Sequence, residues 1–503
     1  MNWLKQRAAG VLLHPTSLPS RQGVGCLGES ARQFVDFLQG AGMCYWQLCP
    51  LGPTGFGDSP YQCFSAFAGN PYLIDLTQLI ELGLLSKEEC EGLGKLSHER
   101  VDYGGLYERF FVVLQIAFSR YNKCRCRIFE NFKTFEDFKK SESSWLNPYA
   151  YFQALKNHFS GKPWFEWPEG LRSYDLGKNH PLIRSLAVPI EAIQFYQYLF
   201  FAQWDFLKKY ASQHGIKIIG DIPIFVGLDS ADVWAHPEIF QLNKEGLPLA
   251  VAGVPPDYFS PTGQLWGNPL FNWDLLKKQR YDWWMRRLGN SFKMYDVVRI
   301  DHFRAFHNYW EIPANANDAR KGSWKRGPGL DFFLALKEQF PNAQLIAEDL
   351  GDLVPEVLEL RDTVGLPGMA ILQFAFGGDA DNPYLPHNLK QNSVIYTGSH
   401  DNDSSWGWYQ SAPEKVRDHF RRYLRVPGNE VPWDLIRSAY ESISNLAIIP
   451  MQDLLSLGSE SRMNSPGRPQ GNWQWRFSQH QLNTLASNAS SYLKNLAQIY
   501  GRV

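Results

Sequence analysis

Eight short apolar runs, separated by longer amphipathic segments, constrain the fold of this chain more than any other feature. None of the runs alternates apolar with polar residues, which is typical of strands buried on both faces of a parallel sheet. Strands in alternation with helices predict a parallel sheet with crossover helices, and eight such units predict a closed (β/α)8 TIM barrel of the α/β class. The runs are 10–13, 45–49, 217–220, 297–300, 345–347, 369–374, 394–397 and 447–450.

Helical patterns fill several of the intervals between the runs, at 30–40, 190–214, 272–288, 355–363 and 413–424. Ser30 is a candidate N-cap and Gly40 a candidate end of the first of these helices. We therefore treat 1–503 as a single elaborated barrel domain with two insertions. Residues 76–187 are predicted to form a mainly helical insertion. Residues 221–271 are predicted to be a loop-rich insertion over the cleft, because a long loop leaving a barrel strand is normally functional or disordered.

The charge balance of the chain bears on which kinds of partner it binds. The chain has 50 Lys and Arg against 51 Asp and Glu. This balance argues against nucleic acid or an anionic membrane as the main partner. No stretch approaches the roughly 18 apolar residues of a bilayer span.

All seven Cys lie between Cys26 and Cys126. Their odd number and the lack of zinc-site spacing predict reduced thiols, no metal and a cytoplasmic location.

Three acidic residues follow three of the apolar runs directly: Asp301, Glu348 and Asp401. A carboxylate at the end of a buried strand is unfavourable unless it is hydrogen-bonded or functional. Because parallel strands end on the same side of a barrel, the three predict a catalytic centre at the carboxyl end. Two carboxyl groups with a third in support are what glycosidic-bond chemistry requires.

The residues beside these acids have both functional and structural interpretations. Arg299 precedes Asp301 by two positions and shares its strand face, so it can keep Asp301 ionised as a nucleophile or simply pair with it. Glu348 and Asp349 point to opposite faces, so one of them can lie in the cleft while the other lies against a helix. The pattern alone does not choose between the two. The structural alternative is a cap at the start of the following helix, and it fits Asp349. Asp221 either binds substrate or holds Arg299.

Two further motifs leave alternatives open. His400 and Asp401 can grip neighbouring sugar hydroxyls or form a surface Asx turn. The glycines of 23–28 match a dinucleotide fingerprint, but they do not follow a strand directly and no acidic residue stands about 20 positions on. A glycine-rich turn before a helix is the preferred interpretation, and no cofactor is predicted.

With these residues in place, the chain resembles the amylomaltase or disproportionating-enzyme family, the 4-α-glucanotransferases of the α-amylase clan. The resemblance covers nearly the whole chain and includes Arg299-Ile-Asp-His-Phe-Arg304 and Gly398-Ser-His-Asp-Asn-Asp403. The other segments that carry it are 10–20, 50–62, 64–72, 220–226, 347–351, 462–467 and 472–476.

The resemblance implies a retaining double displacement that transfers an α-1,4-glucan segment to the 4-hydroxyl of an acceptor glucose or glucan. It implies Asp301 as nucleophile, Glu348 as acid/base and Asp401 as transition-state stabiliser. Maltooligosaccharides and other α-1,4-glucans, with glucose as acceptor, are the partners it implies. The substrate-binding residues it implies are Ser59, Tyr61, Asp221, Tyr258, Trp266, Arg299, His302, His400 and Asn464.

Two other functions use similar residues. A plain α-glucan hydrolase on the same barrel needs the same three acids, and the aromatic loop at 253–269 favours a sugar over water as acceptor. A non-catalytic glycan-binding protein is disfavoured by the intact trio of Asp301, Glu348 and Asp401.

Overall fold

The computed structural model describes residues 1–55, 57–256, 260–351, 353–468 and 470–503. Its strands are β1 Ala8–Leu12, β2 Tyr45–Gln47, β3 Lys217–Pro223, β4 Ala250–Val254, β5 Gln264–Pro269, β6 Val297–Asp301, β7 Asn308–Pro313, β8 Ser323–Arg326, β9 Leu345–Ala347, β10 Gly368–Ile371, β11 Ser393–Tyr396 and β12 Leu446–Pro450.

The α-helices are α1 Glu29–Gly40, α2 Leu76–Glu81, α3 Lys87–Gly94, α4 Tyr103–Cys124, α5 Phe135–Ser141, α6 Ser143–His158, α7 Tyr174–Gly177, α8 Pro181–Ser185, α9 Ala187–Gln213, α10 Ala231–Ala235, α11 Trp273–Lys278, α12 Asp282–Met294, α13 Leu330–Gln339, α14 Pro355–Val364, α15 Ser405–Ser411, α16 Glu414–Leu424, α17 Val431–Glu441, α18 Met451–Leu454, α19 Gln479–Asn488 and α20 Ser490–Ile499.

Eight parallel strands form the barrel, in the order β10-β11-β12-β1-β2-β3-β6-β9. Ala347 N–H donates to the Pro367 carbonyl at 3.0 Å, and this bond brings the two ends of the sheet together. Each predicted apolar run overlaps one of these strands, so the predicted TIM barrel is confirmed. The prediction succeeded because strands buried on both faces leave a continuous apolar signal.

Side chains inside the barrel change from apolar to polar toward the carboxyl ends of the strands. Val297, Arg299 and Asp301 follow one another on the inner face of β6, and Ile219 precedes Asp221 on β3. The period of two along a strand makes this sequence of side chains possible. The barrel therefore has an apolar floor beneath a polar, acidic upper layer.

A second sheet lies outside the barrel, and the sequence did not predict it. It is antiparallel, with strand order β5-β4-β7-β8. β4 and β5 belong to the segment expected to be rich in loops, and β7 and β8 follow β6. Short strands of mixed polarity, such as Ser323–Arg326 with all four residues exposed, give no clear periodic signal.

Two helix details differ from the sequence prediction. The N-cap residue of α1 is Gly28 rather than Ser30, although the helix ends at Gly40 as predicted. The helix expected at 272–288 is divided into α11 and α12. Tyr281 has φ 58°, a left-handed conformation that interrupts the first helix before the second begins.

The glycine-rich segment before α1 is a tightly packed turn. A Cβ at Gly25 would lie 1.9 Å from the Pro15 carbonyl oxygen, so only glycine fits there. This packing supports the interpretation of 23–28 as a structural turn. In the part of the chain that the model describes, no helix has the length and apolar character required to cross a membrane.

Candidate active site

Asp301 and Glu348 occupy corresponding positions at the ends of neighbouring barrel strands. β6 and β9 pair in parallel register up to Ile300 and Ala347, one residue before each acid. Glu348 N–H donates to the Ile300 carbonyl at 3.1 Å, which continues the ladder. The two carboxyl groups are therefore fixed side by side by strand register rather than by a flexible loop.

Asp301 carries a charge-stabilising contact. Arg299 Nη1 donates to Asp301 Oδ1 at 2.9 Å and to Asp221 Oδ2 at 2.6 Å. Asp221 and Arg299 are almost completely buried, whereas 28% of the Asp301 side chain is exposed to the cleft. A guanidinium bonded to two carboxylates orients both of them through charge-assisted hydrogen bonds. Asp301 is thus held in a defined position at the mouth of the barrel, partly exposed to the cleft.

Glu348 lies in different surroundings from Asp301. Its Oε2 accepts from His302 N–H at 2.7 Å and its Oε1 from Leu350 N–H at 2.9 Å. Burial raises the pKa of Glu348 to about 7, and the nearby Asp301 charge acts in the same direction. A carboxyl group with such a pKa can donate a proton near neutral pH.

Asp349 is a structural residue. It pairs with the Arg361 guanidinium of α14, and its Oδ1 accepts from Met369 N–H at 2.7 Å. It does not cap α14, whose N-cap residue is Val354, so the capping interpretation is wrong. Glu348 lies on the cleft side and Asp349 on the helix side, as expected of neighbours on an extended chain.

Asp401 forms the third acidic position together with His400 and Asn464. Asn464 Nδ2 donates to Asp401 Oδ1 at 2.6 Å, and His400 Nε2 lies 3.3 Å from Asp401 Oδ2. Desolvation opposes ionisation of Asp401, but His400 and Asn464 outweigh it and hold the pKa of Asp401 at about 2. Burial lowers the pKa of His400, whereas Asp401 reverses this effect, and the net direction is upward. Asp401 is therefore ionised and held in a defined orientation by His400 and Asn464.

Tyr61 links these groups across the barrel. Its hydroxyl donates to Asp221 Oδ2 at 2.8 Å, and its ring stacks on His400 with centroids 5.1 Å apart. Ser59 supports this turn, since its Oγ accepts from Tyr61 N–H at 3.3 Å. Burial raises the pKa of Asp221 to about 6, with Arg299 acting in the opposite direction. The structure therefore places Asp221 as the partner of Arg299, one of the two roles considered for it.

Trp266 approaches the site from the second sheet. It lies on β5, and its ring meets the His302 ring edge-on at a centroid distance of 4.9 Å. His302 has φ 54°, which turns the chain sharply after Asp301. Burial lowers the pKa of His302 to about 4, so it is neutral at physiological pH. Tyr258 lies outside the described residues.

Trp473 is a part of the site that the sequence reasoning did not identify. It is buried, and its ring lies 5.7 Å from those of both Tyr61 and His400. Trp473 belongs to the segment 472–476, which carries part of the family resemblance. Because it lies more than 400 positions from Tyr61, no local sequence pattern indicates that the two residues meet. Within the described ranges, no cluster of three or more His, Cys, Asp or Glu side chains is placed to hold a metal ion.

Known proteins are similar to this chain over nearly its whole length. A family model described as 4-alpha-glucanotransferase matches residues 13–482. The chain belongs to the 4-alpha-glucanotransferase family. It is 50% identical to a 4-alpha-glucanotransferase of Thermus thermophilus over 94% of this chain and 95% of that protein. A relative of the same name from Clostridium butyricum is 43% identical over 97% of this chain and 100% of its own.

A solved structure of the 4-alpha-glucanotransferase family agrees with the fold. The amylomaltase from Streptococcus agalactiae, in complex with acarbose, superposes with a TM-score of 0.92 at 40% identity, covering 99% of this chain and 100% of that one. The resemblance seen in the motifs is confirmed, and glucan transfer is the activity of this chain.

Proposed function

We propose that this chain transfers α-1,4-glucan segments by a double displacement in which Asp301 is the nucleophile and Glu348 the acid/base. The observation that carries this proposal is the contrast between two neighbouring carboxyl groups. Arg299 Nη1 donates to Asp301 at 2.9 Å, while burial raises the pKa of Glu348 to about 7. Opposed environments of this kind separate a nucleophile from a general acid.

The reaction has two steps. Glu348 protonates the glycosidic oxygen as the Asp301 carboxylate attacks the anomeric carbon, so the C–O bond breaks and the reducing-end segment leaves. Glu348, now ionised, then removes the proton from the acceptor 4-hydroxyl, and that oxygen displaces Asp301. Two inversions retain the anomeric configuration, and such a pair requires carboxyl groups about 5–5.5 Å apart.

The remaining residues are proposed to bind the donor sugar and stabilise the transition state. Asp401, kept ionised by His400 and Asn464, accepts hydrogen bonds from sugar hydroxyls that strengthen as the oxocarbenium character develops. Arg299 and Asp221 orient the nucleophile. The substrate-binding residues proposed beside them are Ser59, Tyr61, Tyr258, Trp266 and His302.

Substrate chemistry follows from the relatives. The Streptococcus agalactiae amylomaltase was solved with acarbose, and 40% identity over the whole chain supports a similar ligand here. Maltooligosaccharides and other α-1,4-glucans are the proposed donors, with glucose or a glucan as acceptor. The proposed mechanism uses side chains alone and calls on no metal or cofactor.

Two broader proposals concern organisation and location. We propose that 76–187, which contains helices α2 to α8, is an insertion in a single barrel domain, and that 221–271 is a second insertion over the cleft. The seven cysteines are free thiols, which supports a cytoplasmic location.

Maltotriose alone tests the activity. Transfer should give glucose together with maltooligosaccharides longer than the donor, with almost no new reducing ends. A hydrolase would instead raise the number of reducing ends at each turnover. Chromatographic sizing of the products, combined with a reducing-end assay, distinguishes the two outcomes.

The roles of the two acids are tested by trapping the intermediate. Glu348→Gln, supplied with an α-glucosyl fluoride donor, should accumulate a glycosyl adduct on Asp301, because fluoride leaves without protonation. Peptide mass spectrometry locates the adduct. Glu359→Gln, an exposed position on α14, is the matched control and should turn over normally. An adduct on any other residue would contradict the assignment.

A further inference from the structure

A buried arginine outside the described site lies behind the strand that carries Asp221. Arg287 belongs to the buried face of α12 and is 2% exposed. Its guanidinium lies 5.6 Å from the Trp283 ring centroid and 4.8 Å from that of Trp284. Burial lowers the pKa of Arg287 to about 10, and the nearby Asp232 charge only partly opposes this effect. A buried cation is unfavourable unless its donors are used.

Two of its donor groups hold the end of β3. Nη2 donates to the Pro223 carbonyl at 2.6 Å and Nη1 to the Ile224 carbonyl at 3.3 Å. These carbonyls follow Asp221 by two and three positions. Arg287 therefore fixes the part of the strand from which Asp221 reaches Arg299 and Tyr61.

The remaining guanidinium nitrogen of Arg287, Nε, and the second carboxylate oxygen of Asp221, Oδ1, belong to residues that line the same cavity. Arg287 Nε and Asp221 Oδ1 are buried and have no hydrogen-bond partner among the described residues. Both residues line a cavity of about 50 Å³, together with Tyr61, Ser65 and Asn290. This volume exceeds the roughly 10–15 Å³ that one water molecule requires.

The chemistry of the two atoms identifies the occupant. Nε–H can only donate and the carboxylate Oδ1 can only accept. Water satisfies both, since it accepts from the arginine and donates to the aspartate. A halide or another anion would satisfy Nε–H but would be repelled by the carboxylate.

We propose that ordered water in this cavity connects Arg287 to Asp221. Arg287 is then a positioning residue for Asp221. Because Asp221 bonds to Arg299 and Tyr61, Arg287 also keeps these two side chains in the geometry of the donor site. The effect of Arg287 on donor-sugar binding rests on the function proposed above. The identity of the cavity's occupant does not depend on that function.

A crystal structure of the wild-type protein in chloride-containing buffer tests the occupant. Water should lie within hydrogen-bond distance of both Arg287 Nε and Asp221 Oδ1, directly or as a chain of two molecules. A halide on Nε, identified by its anomalous signal in bromide-soaked crystals, would overturn the proposal. So would a cavity without density between the two atoms.

Acarbose binding, measured by calorimetry, tests the positioning role. Arg287→Met should weaken binding by about five- to fiftyfold, the range expected for lost charge-assisted hydrogen bonds. Arg286→Met is the matched control. Arg286 is the preceding residue of the same helix, is 39% exposed and pairs with Asp282, so binding should not change.

A double-mutant cycle separates positioning from a general loss of structure. In an Asp221→Ala background, Arg287→Met should change acarbose affinity by less than about twofold, because residues that act through each other are not additive. An equal loss in both backgrounds would overturn the positioning role. Failure of the wild type to bind acarbose would instead contradict the proposed function.

Discussion

At the scale of single residues, the barrel strands place two carboxyl groups side by side in different electrostatic surroundings. Arg299 and Asp301 share a face of β6, and Asp301 is exposed while Arg299 is buried. Glu348 follows the next strand of the barrel, and its carboxylate accepts from two backbone N–H groups. The two carboxyl groups therefore lie in different electrostatic surroundings: Asp301 accepts from a guanidinium, whereas burial raises the pKa of Glu348 to about 7.

The pKa of Glu348 predicts a basic limb in the rate profile. For maltotriose, kcat/KM should fall as pH rises through about 7, because ionised Glu348 has no proton to give to the leaving oxygen. Initial rates at low donor concentration across the pH range measure this. With an α-maltosyl fluoride donor the same limb should disappear, since fluoride departs without protonation. An identical limb with both donors would show that another group is responsible.

At the scale of elements, an antiparallel sheet outside the barrel supplies one wall of the site. β5 carries Trp266 toward His302, while the neighbouring Leu265 faces away and is 40% exposed. The side-chain alternation of a strand gives Trp266 a defined direction that a free loop would not provide. The position is therefore suited to contact with an incoming acceptor sugar.

Trp266→Ala should lower the ratio of transfer to hydrolysis on maltotriose, because water does not use the aromatic face. The expected decrease is about two- to tenfold, from the roughly 0.5–1.5 kcal/mol of a ring contact. Leu265→Ala, on the opposite face of the same strand, is the control and should leave the ratio unchanged. An unaltered ratio in folded Trp266→Ala protein would show that the acceptor does not contact this ring.

The connection between β9 and α14 depends on a buried ion pair. Asp349 is 6% exposed and pairs with Arg361, which also contacts the exposed Asp362. Asp349→Ala should destabilise the protein by about 3–5 kcal/mol, because Arg361 loses its buried partner and keeps only the exposed Asp362. Asp362→Ala should lose about 1 kcal/mol or less, as is usual for an exposed pair. Urea denaturation of both variants measures the difference, and equal losses would contradict this account.

At the scale of the whole molecule, the barrel is held together at the junction of its first and last strands. β1 pairs with β12 over all five residues of each strand. Arg502 is fully buried beside this junction. Its guanidinium donates to the backbone carbonyls of Ala8, Ala439, Tyr440, Ser442, Ser444 and Asn445.

Arg502→Ala should therefore destabilise the whole barrel. The carbonyl groups of Tyr440 and Ser442 keep Arg7 as a donor, but each carbonyl group left without a donor would cost about 1–3 kcal/mol. The midpoint of urea denaturation should fall well below that of wild type. Arg422→Ala, at a position that is 78% exposed, should leave the midpoint within error. A normal midpoint for Arg502→Ala would show that the carbonyl groups find other partners.

The sequence by itself determined the barrel and the strand ends that carry the acids. Buried parallel strands require continuous apolar runs, and this requirement is local, so all eight runs are visible in the printed chain. The positions of Asp301 and Glu348 directly after such runs follow from the same local pattern. The shared face of Arg299 and Asp301 follows from the period of a strand.

Only the tertiary structure decided the contacts between segments that are distant in the sequence. The hydroxyl of Tyr61 reaches Asp221 across 160 residues, and Arg287 meets the end of β3 from a helix more than 60 positions away. The choice between Glu348 and Asp349 also required the position of Arg361. The second sheet was not apparent because its short strands carry little periodicity of their own and because β4 pairs with β7, which lies beyond β6 in the chain. Contacts of this kind form only when the barrel closes, so no local pattern in the sequence records them.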